Sequence, residues 1–170
     1  MSPVLRIPRR LYKSVRSDLK RPHPFAAERV GFLSAAPGST TDSRLVLLSG
    51  YTSLPDERYV PDPFSGARID SRAIQGSLQR VLDTGRGEFH VHMHPGRGMP
   101  RLSRMDRDEL PRIVRSLCVA GPRAPHGIVL LSQDSITAWV WLPEARAPVR
   151  PSKVTIVGYP MSFVFGHCHG

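Results

Sequence analysis

Three histidines alternate along a short stretch that ends at Pro95. Successive side chains of a β-strand point to opposite faces, so His90, His92 and His94 would share one face. Neighbouring members of this set lie about 6.6 Å apart along a strand, and their ring nitrogens can converge on one metal ion. His90 and His94 lie about 13 Å apart, too far to share an ion. The chelating pair is therefore either His90 with His92 or His92 with His94.

An aspartate follows where the chain turns back. Pro95 cannot continue a central strand, and a Gly- and Pro-rich loop then leads to Asp106 at the start of the next predicted helix. His92 and His94 border that loop, so we prefer this pair and expect Asp106 to be the third ligand. Three protein ligands, with a fourth position left to water, are typical of a catalytic zinc ion.

The same residues also have an ordinary structural interpretation. Ser103 and Asp106 have the spacing of a capping box, in which two side chains satisfy free backbone N–H groups at the start of a helix. Alternating histidines are equally compatible with a half-buried strand that binds nothing. Spacing alone leaves both interpretations open.

A compound pattern spans most of the chain, from about Leu19 to Phe165. Its residues are Glu28, His92, His94, Pro95, Ser103 and Asp106. The pattern resembles the JAMM signature of the JAB/MPN zinc metallopeptidases. It departs from the usual family pattern in two ways. Eight residues separate His94 from Ser103, one more than is usual. Between the two histidines, where the family usually has Ser or Thr, this chain has Met93.

The resemblance implies a fold and a division of labour. The fold would be a single JAB/MPN-type α/β domain, a curved mixed β-sheet flanked by helices. His92, His94 and Asp106 would hold one catalytic Zn²⁺. Glu28 would be the general base that passes a proton from the attacking water to the leaving amine, and Ser103 would donate a hydrogen bond to the oxyanion.

The resemblance also implies a substrate. Family members cleave after the C-terminal glycine of ubiquitin-like proteins, either to process a precursor or to remove the modifier from a target. The compact chain resembles bacterial members, which act beside E1- and E2-like enzymes, some of them in antiphage systems. The alternatives are a peptidase that trims a sulfur-carrier protein, and a non-catalytic MPN scaffold. A module that binds RNA or DNA is a further alternative.

Length and composition indicate the domain number and the general class of the protein. A chain of 170 residues with 40% hydrophobic and 22% charged residues fits one domain with a substantial core. The sequence has no apolar run long enough for a membrane helix, and residues 1–21 lack the apolar core of a secretory signal. Cys118 and Cys168 do not suggest a disulfide framework, so we expect a cytoplasmic protein.

The net charge of +10 raises the question of nucleic acid. Seven of the 24 basic residues lie in residues 1–21, but this segment has Tyr12 as its only aromatic residue, and no nucleic-acid module follows it. Nucleic-acid binding is therefore disfavoured. We expect a segment that is helical in part and packs on a metallopeptidase domain at 22–166. The tail at 167–170 carries His167 and His169, which could bind metal adventitiously. We expect no function for the isolated His23 and His126.

Hydrophobic periodicity and turn residues predict the elements that would position the site. Ser71 is the expected N-cap of a helix with Ile74, Leu78, Val81 and Leu82 on its buried face, and Pro37-Gly38-Ser39 is the expected turn. The long connection from Tyr51 to Ile69 would either border a substrate groove or pack as a loop held by Tyr59 and Phe64. Glu88 would be solvated. Helices are predicted at 14–20, 71–84 and 106–119, and strands at 29–34, 44–49, 89–94, 126–132, 135–142, 153–158 and 162–165.

Overall fold

The chain folds into a mixed α/β structure, which confirms the predicted class. This computed structural model describes residues 2–24, 26–39, 44–62, 65–143 and 145–165. Within these residues no helix is long and apolar enough to cross a membrane. The elements are β1 (Val4–Pro8), α1 (Arg9–Leu19), β2 (Val30–Ser39), β3 (Arg44–Ser53), α2 (Ser71–Thr84), β4 (Gly87–Met93), α3 (Arg104–Ala120), β5 (His126–Leu131), β6 (Ile136–Trp141), β7 (Lys153–Val157) and β8 (Ser162–Phe165).

All eight of these strands form one mixed sheet in the order β6-β5-β4-β2-β3-β1-β7-β8. The pairs β4/β5, β1/β3 and β1/β7 are parallel, and the other neighbours are antiparallel. The histidine-bearing strand β4 therefore lies between two partners, with His92 opposite Val30 of β2 and Leu130 of β5. Pairing on both edges holds the backbone of this strand in a fixed position.

The two faces of the sheet have different roles. Phe89 and Val91 of β4 belong to the main core, which includes Val15 and Leu19 of α1. The alternate side chains point to the opposite face, where α2 and α3 pack against each other and against β4. His90 lies on that face, edge-on to the Phe32 ring. The alternation thus buries an apolar set beneath α1 and presents the histidines to the other two helices.

The N-terminal segment contains a strand that was not predicted. β1 lies between β3 and β7 and pairs with both in parallel. Leu5 and Ile7 are 0% and 1% exposed, whereas Arg6 is exposed. This alternation is a strand signal, but it spans only five residues and stands beside a run of basic residues. The helix that follows begins at Arg9, five residues before the predicted start.

The predicted turn at Pro37 is wrong. β2 continues to Ser39, and Pro37 lies opposite Val46 of β3. Pairing between β2 and β4 ends at Ala35 opposite Gly87, so Pro37 has a strand partner on one side alone within the described sheet. A proline, which has no N–H to donate, is tolerated at such an edge position. The connection to β3 lies outside the described residues.

The helix α2 has the predicted bounds but a different cap, and its predicted buried face is correct in part: Val81 is buried, and Ile74 and Leu78 are half-buried. The side chain of Asp70, rather than that of Ser71, accepts a hydrogen bond from the Ala73 N–H at 2.8 Å. Leu82 is 62% exposed rather than packed. The buried residues of the helix are Ala73, Ser77 and Val81. Two of these inward residues are small, so α2 packs closely.

A buried histidine joins the start of β5 to its neighbours. His126 is fully buried, its Nδ1 accepts a hydrogen bond from the Glu88 N–H at 3.1 Å, and its Nε2 lies 2.8 Å from the Gly121 carbonyl oxygen. Both contacts are satisfied by the neutral imidazole, and burial lowers the pKa of His126. The expectation of a solvated Glu88 is wrong, because Arg80 binds its carboxylate at 2.6 Å and the residue is 1% exposed.

We expect His126 to make the fold sensitive to acid. Its pKa is lower in the folded than in the unfolded chain, so its contribution to stability is complete above about pH 6.5 and is lost as the pH falls below that value. Between about pH 7.5 and pH 5.5 this loss is at most about 1.4 kcal/mol, the value for a histidine that stays neutral in the folded chain. Urea unfolding should therefore show a larger fall in midpoint for the natural chain than for His126→Gln. Equal falls in the two proteins would contradict this role.

Candidate metal centre

Two of the three histidines converge at the end of β4. The Nε2 atoms of His92 and His94 lie 3.1 Å apart. His92 is 1% exposed, and the backbone N–H of His94 donates to the Leu131 carbonyl at 2.9 Å, which extends the pairing with β5 by one residue. Two imidazole nitrogens at this separation can share a proton or bind the same ion.

Asp106 completes a group of three. Its Oδ1 lies 3.4 Å from the His92 Nε2, and its Oδ2 lies 3.3 Å from the His94 Nε2. The capping box is also present: the Ser103 N–H donates to Asp106 Oδ2 at 2.8 Å, and the Asp106 N–H donates to Ser103 Oγ at 3.1 Å. The structural and the ligand interpretations of Asp106 therefore both fit one conformation.

The loop between the histidines and α3 is fastened to the β5–β6 turn. Gly96 and Gly98 have φ values of 98° and 80°, which glycine adopts without the strain that a side chain would cause. The Gly98 N–H donates to Asp134 at 2.7 Å, and the Ser132 hydroxyl donates to the Gly98 carbonyl at 2.7 Å. The Gln133 N–H donates to the Gly96 carbonyl. These bonds fix the path that returns Asp106 to the histidines.

Glu28 approaches the same point from the segment before β2. Its backbone N–H donates to the Gly66 carbonyl at 2.8 Å, and its Oε1 lies 3.7 Å from the His94 Nε2. One carboxylate oxygen of Glu28 and one ring nitrogen each of His92 and His94 all lie within 4.8 Å of one another, and this group could hold a metal ion. Burial raises the pKa of Glu28, although the two histidines oppose the rise.

The acidic and histidine side chains at the centre shift one another's pKa values. Burial disfavours the Asp106 carboxylate, but its hydrogen bonds with His92 and His94 outweigh burial and hold the pKa of Asp106 below its ordinary range. The hydrogen bond to Asp106 raises the pKa of His94, with smaller contributions from Glu28 and the Arg101 carbonyl. A metal ion would therefore displace a proton that this arrangement attracts.

His90 is not part of the converging group. It is 4% exposed, burial lowers its pKa to about 3, and its ring packs edge-on against the His92 ring at a centroid distance of 5.3 Å. The Nδ1 atoms of His90 and His92 are buried and have no hydrogen-bond partner among the described residues. The structure thus brings together His92 and His94, the preferred one of the two candidate pairs.

Two cavities meet at the centre. The long groove, with a volume of about 1040 Å³, runs between α3 and the segment 65–69. The second groove, of about 740 Å³, runs between the end of α1 and the loop after β4. Glu28 and His94 line both grooves, whereas Ser103 lines the long groove. The Ser103 hydroxyl accepts a hydrogen bond from the Asp106 N–H, and a hydroxyl that accepts one bond can also donate one to a ligand in that groove.

The long connection after β3 is both packed and close to a groove. Tyr59 is buried, its hydroxyl accepts a hydrogen bond from the Val30 N–H at 2.8 Å, and it forms a bridge with Ile69. The segment 65–69 that follows forms a wall of the long groove. Phe64 and the tail histidines lie outside the described residues. Sequence reasoning missed the approach of Gly66 to Glu28, because it joins positions 38 residues apart.

No protein-family model matches this chain, and no curated protein is significantly similar to it.

We expect the chain to bind about one zinc ion per molecule through His92, His94 and Asp106. The His92→Ala and Asp106→Ala variants should lose the ion, because each removes one of three ligands. Elemental analysis after dialysis measures the content. A background with His167→Ala and His169→Ala prevents metal binding by the tail.

The matched control is His126→Gln, which removes a buried histidine far from the centre and should retain the ion. Circular dichroism verifies that each variant is folded. Absence of zinc from the folded natural chain after reconstitution, or zinc retained by His92→Ala, would refute the assignment.

Proposed function

We propose that this protein is a zinc-dependent peptidase of the JAB/MPN type. The spacing of the candidate ligand atoms supports this proposal. The Nε2 atoms of His92 and His94 lie 3.1 Å apart, Asp106 Oδ1 lies 3.4 Å from the His92 Nε2, and Asp106 Oδ2 lies 3.3 Å from the His94 Nε2. Ligands at 2.0–2.1 Å from a tetrahedral zinc ion lie about 3.3–3.4 Å apart, so these atoms are close to the required positions without rearrangement.

Side chains of the protein would carry out the remaining steps of the reaction. Zinc, when bound, activates a water molecule as a nucleophile and polarises a carbonyl group. Glu28 lies farther from His94, at 3.7 Å, than Asp106 does, so we assign it to proton transfer rather than to the ligand set. Its raised pKa favours acceptance of the water's proton at a carboxylate oxygen and its later delivery to the leaving amine nitrogen.

Ser103 is suited to the oxygen of the scissile carbonyl. Its position at the start of α3 is fixed by the capping hydrogen bonds with Asp106. Its hydroxyl can donate to the carbonyl oxygen as negative charge develops there. The same two residues would thus start the helix, hold the ion and stabilise the reaction's charge.

The long groove fits an extended chain. It follows α3 from Arg104 to Ser116, a length of about 18 Å at 1.5 Å per residue. This length accommodates about five extended residues. We propose that it holds the glycine-ending tail of a ubiquitin-like protein, in a precursor or joined to a target. A cytoplasmic bacterial conjugation pathway with E1- and E2-like enzymes, of the kind that includes antiphage systems, is the setting that the JAMM resemblance implies.

We expect the zinc-loaded protein to cleave a five-residue peptide ending in Gly-Gly from an amine-linked fluorophore. Glu28→Gln should bind zinc normally but reduce kcat about 10²- to 10⁴-fold, because the proton acceptor is lost. Fluorescence release and zinc content, measured on the same samples, separate the two effects. Absence of zinc from the Glu28→Gln variant would instead show that Glu28 is a ligand of the ion. A zinc-loaded natural chain inactive on this peptide and on a C-terminally extended ubiquitin-like protein would refute the proposed activity.

Gly66→Ala tests the placement of Glu28 without changing its chemistry. An added Cβ at position 66 would lie 2.7 Å from the Glu28 Oε2, so the carboxylate must move. We expect kcat to fall about 10- to 100-fold while zinc is retained. Gly76→Ala in α2 is the matched control, because its Cβ would meet nothing closer than the Arg80 Nη1 at 3.7 Å. Equal kcat values for the two variants would contradict the placement.

A further inference from the structure

The second groove is the largest feature of the site that the proposed reaction does not use. It opens from Glu28 and His94 on the side away from α3. Lys20, at the end of α1, and Arg97, in the loop after β4, form parts of its walls. Both side chains are exposed. A ligand that extends across the metal centre from the long groove can enter this second groove, because Glu28 and His94 line both.

The position of Ser103 favours one direction for a substrate. Ser103 lines the long groove, and we place there the acyl chain of a carbonyl that receives its hydrogen bond. Glu28 lines both grooves, so an amine that receives its proton can leave toward the second groove. Under the proposed peptidase function, on which this placement rests, the glycine-ending tail lies in the long groove. The segment that carries the leaving amine lies in the second.

Two cations of the second groove are available to a ligand. Arg21 pairs with Asp18, and the buried Arg29 pairs with Asp56 at 2.8 Å. In the part of the chain that the structure describes, neither Lys20 nor Arg97 has an ion-pair partner. The groove thus keeps two cations after its internal pairs are formed.

Two acidic residues line the second groove, Glu28 at the metal centre and Asp134, and Asp134 is already engaged. Asp134 Oδ1 accepts a hydrogen bond from the Gly98 N–H at 2.7 Å and lies 3.2 Å from the Ser132 hydroxyl oxygen. These contacts tie its carboxylate to the loop rather than to Lys20 or Arg97. Arg101, in that same loop and next to His94, is exposed and also has no ion-pair partner among the described residues.

We infer that the second groove recognises an acidic polypeptide segment on the leaving side of the scissile bond, through Lys20 and Arg97. Carboxylates within a few residues of the leaving amine would meet these two side chains. A polypeptide fits better than a nucleic acid. Among the described residues that line the groove, none is Phe, Tyr or Trp, so it lacks a surface on which bases stack.

Binding of product-like peptides tests this inference without requiring cleavage. The probes are two fluorescein-labelled eight-residue peptides with free N-termini, one with three Asp residues and one with Asn in their place. At about 0.15 M salt the natural chain should bind the Asp peptide about tenfold more tightly than the Asn peptide, as fluorescence anisotropy measures. In Lys20→Ala/Arg97→Ala this preference should fall about fivefold.

The matched control is Lys13→Ala/Arg115→Ala, which removes the same charge from exposed positions outside both grooves. It should keep the natural preference. If the preference for the Asp peptide fell equally in both double variants, it would come from net charge alone, and the inference would be overturned. Tighter binding of an eight-residue oligothymidine that is lost in Lys20→Ala/Arg97→Ala would also overturn it. An inactive chain that kept the peptide preference would refute the peptidase proposal alone.

Discussion

The reciprocal hydrogen bonds between Ser103 and Asp106 hold the candidate centre together. Such bonds commonly start helices, and here they also aim the Asp106 carboxylate at two histidines on another element. A carboxylate free to rotate would lose conformational entropy on binding an ion. The Asp106 carboxylate is already restrained by the cap, so a common capping motif orients this ligand before the ion binds.

The second constraint comes from the sheet. β4 has a strand on each side, so the backbone that carries His92 is paired along both edges. One face of the strand packs into the α1 core and the other carries the histidines. A change of register by one residue would place Phe89 and Val91 on the polar face, which the core opposes. The apolar core therefore also determines where the ligands lie.

The parts of this structure that could be predicted are those with local causes. The α2 bounds, the cap of α3 and the convergence of His92 and His94 follow from residues close in sequence. The rest depends on distant contacts. Asp70 displaces Ser71 as the cap, and Glu88 is buried because Arg80 meets it. The connection at 51–69 was one expected border of a groove, but the facing walls of the two grooves could not be predicted, because they join segments that the sequence separates widely.

The insertion of β1 has a consequence for the order of folding. Val4–Pro8 pairs in parallel with Lys153–Val157, so the first strand needs the seventh, at nearly the other end of the chain. Contacts of such long sequence separation form late and slow folding, because a large loop must close first. During synthesis β4 and α3 would leave the ribosome well before β7. The ligands of the centre would then exist in a nascent chain before the sheet that holds them is complete.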